Sequence, residues 1–175
     1  MNKFLPLAAA VATVFSMVPA QARTMEAHDR LVAAVRNVGV TVSLNTKDCV
    51  GASFAGLYQS SQRHMLICQD NGIDGSGQQA RWTANDLDTL RHESAHITQD
   101  CIAGGIANNN LGTIYHKPFE FAQQYFGTIV INNIVSTYKG QGAPAHVQIL
   151  EVEAFAVAHM NNPDEQIADL RHYCL

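Results

Sequence analysis

Residues 83–105 read TANDLDTLRHESAHITQDCIAGG, and the rest of the chain takes its meaning from this stretch. Thr83 followed by Asp86 has the form of a capping box, and Gly104-Gly105 is a stop signal. Together they predict a helix running from Thr83 to about Ala103. Within it stands His92-Glu93-Ser94-Ala95-His96. Residues four apart share one helical face, about one turn up, so two imidazoles placed there can bind the same ion. Zinc is the natural guest of neutral imidazole, and a catalytic zinc takes three protein ligands and leaves one position open. Glu93 falls beside that open corner, where a carboxylate can accept a proton from water and pass it to a leaving amine. The plainer reading of the same residues is a solvated helix face.

A third ligand has to come from another element. Residues 147–158 form an apolar run interrupted by Glu151 and Glu153, and acids are seldom placed on such a face without a partner. Helix phase alone does not separate the two.

The pattern spreads outward from these two stretches. Apolar positions Ala27, Leu31, Ala34, Val35 and Val38 recur at helical spacing over 24–38, and Gly39 follows as a stop. Residues 40–44 alternate apolar and polar as a half-buried strand does, and 53–59 and 63–69 are two further strand candidates. A polar, Gly-rich loop covers 70–80. Beyond the HESAH helix, a second helix is expected over 119–138 and a third over 145–160. Asn161-Asn162-Pro163 ends the third, and Pro163 opens a last short helix. The order predicts an α/β (α+β) chain: a helix, a small antiparallel or mixed sheet, then the HESAH helix and a helical C-terminal half, with no linker dividing them. Trp82, just before the helix cap, reads as a hydrophobic staple. His28, His64 and His146 read as surface or edge residues.

The chain has 175 residues, 47% hydrophobic and 15% charged, with a formal charge of -4. The apolar fraction is enough for a real core, and the charge excludes a basic nucleic-acid scaffold or a polybasic membrane binder. No G-x-S-x-G and no Gly-rich phosphate loop is present. The N-terminus carries Lys3, an apolar run over 4–18 and Ala20-Gln21-Ala22. These are the three parts of a secretory signal peptide, and the run is too short to be a comfortable membrane anchor. Residues 1–22 are therefore expected to be removed, leaving one exported domain, 23–175, periplasmic or secreted, with no membrane contact after cleavage. Four cysteines suit that compartment. Three pairings are possible; Cys49 with Cys68 is favoured because the two flank a predicted strand pair, which leaves Cys101 with Cys174. The lack of a Cys-x-x-Cys pair argues against a Cys-ligated zinc site.

HESAH followed by Glu151-Val152-Glu153-Ala154-Phe155-Ala156 resembles the gluzincin branch of zinc metallopeptidases, including its small single-domain members. The resemblance implies a zincin-like fold and peptide-bond hydrolysis of a peptide or protein substrate. It implies Zn2+ held by His92, His96 and a Glu on a later helix, with Glu93 as general base. Glu151 is preferred as that ligand, because Ala154 then stands at the fourth position of an E-x-x-A motif; Glu153 is the alternative. The chain departs from the family at Phe155, or at Val157 in the Glu153 register, where many members carry Asp. The group orienting a zinc-bound His would then be Asp100, Asp86 or a backbone carbonyl. The family also implies an edge strand just before the active-site helix that binds an extended peptide; 63–69 is the candidate, with an ordinary sheet strand as the equal alternative. Tyr115, His116, His159, His172 and Tyr173 are eligible as oxyanion stabilisers by type, and spacing selects none of them. A non-catalytic, zinc-stabilised binding or inhibitory domain is the main alternative; a disulfide-stapled domain without metal is the third.

Overall fold

A computed structural model describes residues 25–72 and 74–175; the predicted signal peptide lies outside the described residues. α1 (Met25–Asn37) turns Ala27, His28, Leu31, Ala34 and Val35 inward. Three short strands follow, β1 (Thr41–Leu44), β2 (Gly56–Gln59) and β3 (His64–Ile67). They form a mixed sheet in the order β1-β3-β2, with β1 parallel and β2 antiparallel to β3. Central β3 contributes Met65, Leu66 and Ile67, each at most 2% exposed. Of the two readings of 63–69, the ordinary sheet strand holds and the free edge does not. The edges are β1 and β2, because the chain returns β3 between them.

α2 (Ala84–Ile102) starts at the predicted cap. The Asp86 N–H donates to Thr83 Oγ1 (3.1 Å) and the Thr83 N–H donates to Asp86 Oδ2 (2.7 Å). Gly104, at φ +116°, turns the chain away in a conformation that disfavours any side chain. The 119–138 helix is corrected to two, α3 (Pro118–Gln123) and α4 (Thr128–Gly140). Gly127 stands between them in extended backbone (φ -65°, ψ 157°) as the cap residue of α4. α5 (Ala145–Met160) and α6 (Pro163–Cys174) complete an α+β chain with six helices among the described residues. Asn162 and Glu165 form a second capping box at the start of α6.

Two apolar cores result. One joins α1, the sheet, α2 and α6 through Leu31, Val35, Met65, Ile67, Leu90, Ile97 and Leu170. The other joins α3, α4 and α5 through Ala122, Phe126, Ile131, Ile134, Val152 and Ala156. Disulfides link Cys49 to Cys68 and Cys101 to Cys174, with Cα separations of 5.4 and 5.1 Å. Both pairs are those favoured from sequence, and they suit an oxidising, extracellular environment. Among the described residues, no helix is long and apolar enough to cross a membrane.

Candidate metal centre

Every residue of 90–101 in α2 is buried, although His92, Glu93, Ser94, His96, Thr98, Gln99 and Asp100 are polar. So polar a buried run needs partners, and α5 supplies several of them. The two helices run antiparallel: Arg91 Nε donates to Ala158 O (2.6 Å), and Gln99 Nε2 donates to Leu150 O (3.0 Å). Ala95 packs between Ala154 and Val157, and these small side chains let the helices approach closely. His28, expected at the surface, is buried on the inner face of α1 with its Nε2 2.8 Å from Arg91 Nη1.

At this crossing His92, His96 and Glu151 converge. The His92 and His96 Nε2 atoms are 3.1 Å apart, and Glu151 Oε2 lies 3.2 Å from the first and 3.5 Å from the second. An ion about 2.05 Å from each donor in a tetrahedral site needs donor separations of about 3.3 Å, so the triangle has the size of one tetrahedral face. All three side chains are buried, with 5–7% exposure. For His96, burial is the largest influence and works against charge, but the Glu151 carboxylate outweighs it and raises the pKa to about 9. Burial likewise opposes ionisation of Glu151, yet His96 and His92 hold its carboxyl well below the usual range. The three donors together could hold a metal ion.

Glu93 is also buried, at 5% exposure, and burial raises its pKa despite the neighbouring imidazoles. β2 packs directly on it. A Cβ on Gly56 would come within 2.8 Å of Glu93 Cγ and Oε1, and within 2.5 Å of Thr89 Cγ2. Glycine is therefore the residue that permits this contact. The Cys68 N–H donates to Ala55 O (2.8 Å), so by strand alternation Ala55, Leu57 and Gln59 face β3. Gly56 and Tyr58 then present their backbone to the free edge, where the Tyr58 N–H donates to Glu93.

A further layer orients these groups. His96 Nδ1 is 2.8 Å from Gln99 Oε1. The Gln99 amide nitrogen donates to Glu153 Oε2 (2.9 Å) and to Leu150 O. Both of those are acceptors, so Oε1 must face His96 and accept from Nδ1–H, which turns the Nε2 lone pair toward the triangle. The Tyr138 hydroxyl of α4 bonds Glu151. The Phe155 ring lies 4.4 Å from the His92 ring, centroid to centroid, and the buried His92 Nδ1 has no hydrogen-bond partner among the described residues.

The structure brings together His92, His96, Glu151 and Glu93 as the sequence suggested, and it separates the two acids of α5. Glu153 accepts from the backbone N–H groups of Ile114 and Tyr115, at 2.8 Å each, so its carboxylate anchors a loop. Asp86 and Asp100 orient neither imidazole: Asp86 caps α2, and Asp100 accepts from the Tyr58 hydroxyl (2.7 Å). Gln99 takes the role expected of them, and it was legible only as the residue three past His96. Tyr138 and Gly56 were also missed, because each reaches the site from a separate element. Of the oxyanion candidates, Tyr115 bonds Asn161 and stacks on Phe121. His116 is exposed, His159 packs on Tyr125 and Phe126, and His172 and Tyr173 pair at the end of α6.

No curated protein and no solved structure matches this chain. One family profile does, over residues 22–175, described as "Domain of unknown function (DUF8637)". The chain belongs to the DUF8637 family.

Proposed function

We propose that this chain is an exported, zinc-dependent peptidase of zincin-like architecture, with His92, His96 and Glu151 as ligands and Glu93 as general base. The observation that carries the proposal is the ligand triangle, with edges of 3.1, 3.2 and 3.5 Å, set beside a buried carboxylate one residue from the first imidazole. Two nitrogens and one carboxylate oxygen form a donor set that suits zinc. When bound, zinc would supply Lewis acidity toward a peptide carbonyl and toward water. Glu93 takes the proton of the attacking water and returns it to the leaving amine. Its burial raises its proton affinity, which favours that exchange. Gln99 fixes His96, and Tyr138 holds Glu151. A peptide laid along the outer edge of β2 would run past Gly56 beside Glu93, and pairing at Tyr58 would displace Glu93 from the Tyr58 N–H. Export is supported by both disulfides, by the N-terminal sequence and by a family match that starts at residue 22.

Replacing Glu93 with Gln should lower peptide hydrolysis by about 10²–10⁴-fold while zinc stays bound. Unchanged hydrolysis would defeat the assignment. The depth of the centre favours a second reading, since ligands only 5–7% exposed also suit a closed zinc site in a non-catalytic binding or inhibitory domain. That reading predicts bound zinc, no hydrolysis and a silent Glu93→Gln.

A further inference from the structure

Glu153 stands two residues past Glu151 and is fully buried, yet its carboxylate lies outside the ligand triangle. Both oxygens are already engaged. Oε1 accepts from the Tyr115 N–H, while Oε2 accepts from the Ile114 N–H and from the Gln99 amide. Through Gln99 this continues to His96 Nδ1. One unbroken chain of hydrogen bonds, each 2.8–2.9 Å, thus links a ligand imidazole to two backbone amides. Those amides belong to the 103–117 loop, which joins α2 to α3. The same loop also bonds the Gln99 carbonyl through the Gly112 N–H (2.9 Å) and reaches Ser60, just past the end of β2, through the Asn109 N–H (3.3 Å).

We infer that Gln99 and Glu153 are positioning residues that couple metal binding at His96 to the order of the 103–117 loop. The inference rests on the metal reading of the centre. Its physical basis is the polarity of the Gln99 amide, which has one accepting and one donating end. A metal on His96 Nε2 requires the proton on Nδ1. Nδ1–H then fixes Gln99 Oε1 toward His96 and the amide nitrogen toward Glu153. The flipped amide would set N–H against N–H at one end and oxygen against carboxylate at the other. Glu153 and Leu150 O already set this orientation. Metal on Nε2 reinforces it by excluding the neutral tautomer with its proton on Nε2, which would set the Nδ1 lone pair against Gln99 Oε1, and that orientation holds the loop. Coupling of this kind is reciprocal, so the loop's grip on Glu153 favours metal binding in turn. Because the loop reaches from Glu153 to Ser60 at the end of β2, loading the centre would also order one flank of that strand edge.

The test is amide hydrogen exchange at Ile114 and Tyr115, by NMR, with and without zinc. The reference is the Cys68 amide, which is bonded within the sheet. In the unaltered protein, zinc should slow Ile114 and Tyr115 at least about tenfold more than it slows Cys68. In Gln99→Met, which keeps the bulk and removes both amide ends, zinc should still bind. Its affinity in chelator competition should be about tenfold weaker, and the extra slowing should vanish. Glu153→Gln serves as a second variant: its amide nitrogen must face either the Tyr115 N–H or the Ile114 and Gln99 donors, donor against donor, and it should speed exchange at Ile114 or Tyr115 with or without zinc. If zinc binds and Ile114 and Tyr115 merely follow Cys68, or if the slowing survives in Gln99→Met, the coupling is overturned while the metal reading stands. If the unaltered protein binds no zinc, the metal reading fails and the coupling fails with it.

Discussion

The half of the molecule built from α1, the sheet, α2 and α6 carries both disulfides, while the half built from α3, α4 and α5 carries none. The first half is closed covalently at two places around its core. The second depends on the apolar contacts of residues such as Phe126, Ile134 and Val152, and on what α5 offers to α2. What α5 offers is unusual: small side chains at Ala154 and Val157, two buried acids, and two backbone carbonyls that accept from Arg91 and Gln99. The ligand triangle spans this seam, with two members on the stapled side and one on the other. A metal ion there would act as a third staple, joining the unstapled half to the stapled one. Activity and stability would then share one site.

This contrast can be broken at each kind of tie. The largest effect is expected from replacing Cys101 and Cys174 together with Ala, which opens a link between residues 73 apart. In the chain-entropy account such a closure is worth about 4 kcal/mol, and urea denaturation should show a loss near that size; a loss below about 1 kcal/mol would mean that α6 docks well without its staple. Next comes removal of zinc. Relative to a thousandfold excess over its Kd, stripping the ion should cost about 4 kcal/mol, or about 3 at a hundredfold excess. The loss should appear first as faster amide exchange in α4, whereas β3 should hold. Uniform acceleration across both halves would contradict the seam. Ala154→Leu should overfill the α2–α5 contact, cost about 1–3 kcal/mol and weaken zinc binding; a neutral result would show slack between the helices.

The smallest predicted effect has the opposite sign. Glu93 has a pKa raised by burial, so its ionised form is disfavoured in the folded state. A carboxyl with a raised folded pKa costs nothing below its unfolded value, and the cost is complete once pH exceeds the folded value. Glu93→Gln should therefore stabilise the zinc-free protein by about 0.5–2 kcal/mol at neutral pH, with the gain fading at pH 4. A loss of stability at neutral pH would instead give Glu93 a structural role.

Legibility in the sequence followed the range of the interactions. The Thr83–Asp86 cap, the Gly104 stop and the Asn162-Pro163 boundary act within a few residues, and the helices they bound fell close to where they were expected. The His92–His96 spacing is equally local, and it pointed to the centre directly. The order of the sheet is not local: nothing within 63–69 says that β1 pairs on its far side, so edge and interior strand were both open readings of β3. Gly127 falls inside the helix expected over 119–138, yet the chain turns there and Phe126 is buried. Glu151 and Glu153 share a run and a residue type. They separate only because a loop far away in sequence brings the Ile114 and Tyr115 amides to the second of them. Gln99 and Tyr138 were hidden for the same reason, since each has meaning only beside a partner on another helix.

The most direct test of the metal staple is metal content by mass spectrometry on the purified, disulfide-intact protein reconstituted with zinc, measured beside His96→Ala. One zinc per chain is expected in the unaltered protein, and its loss in the variant. A folded sample that retains no zinc, or a variant that retains it in full, would contradict the assignment of His92, His96 and Glu151 as a metal centre.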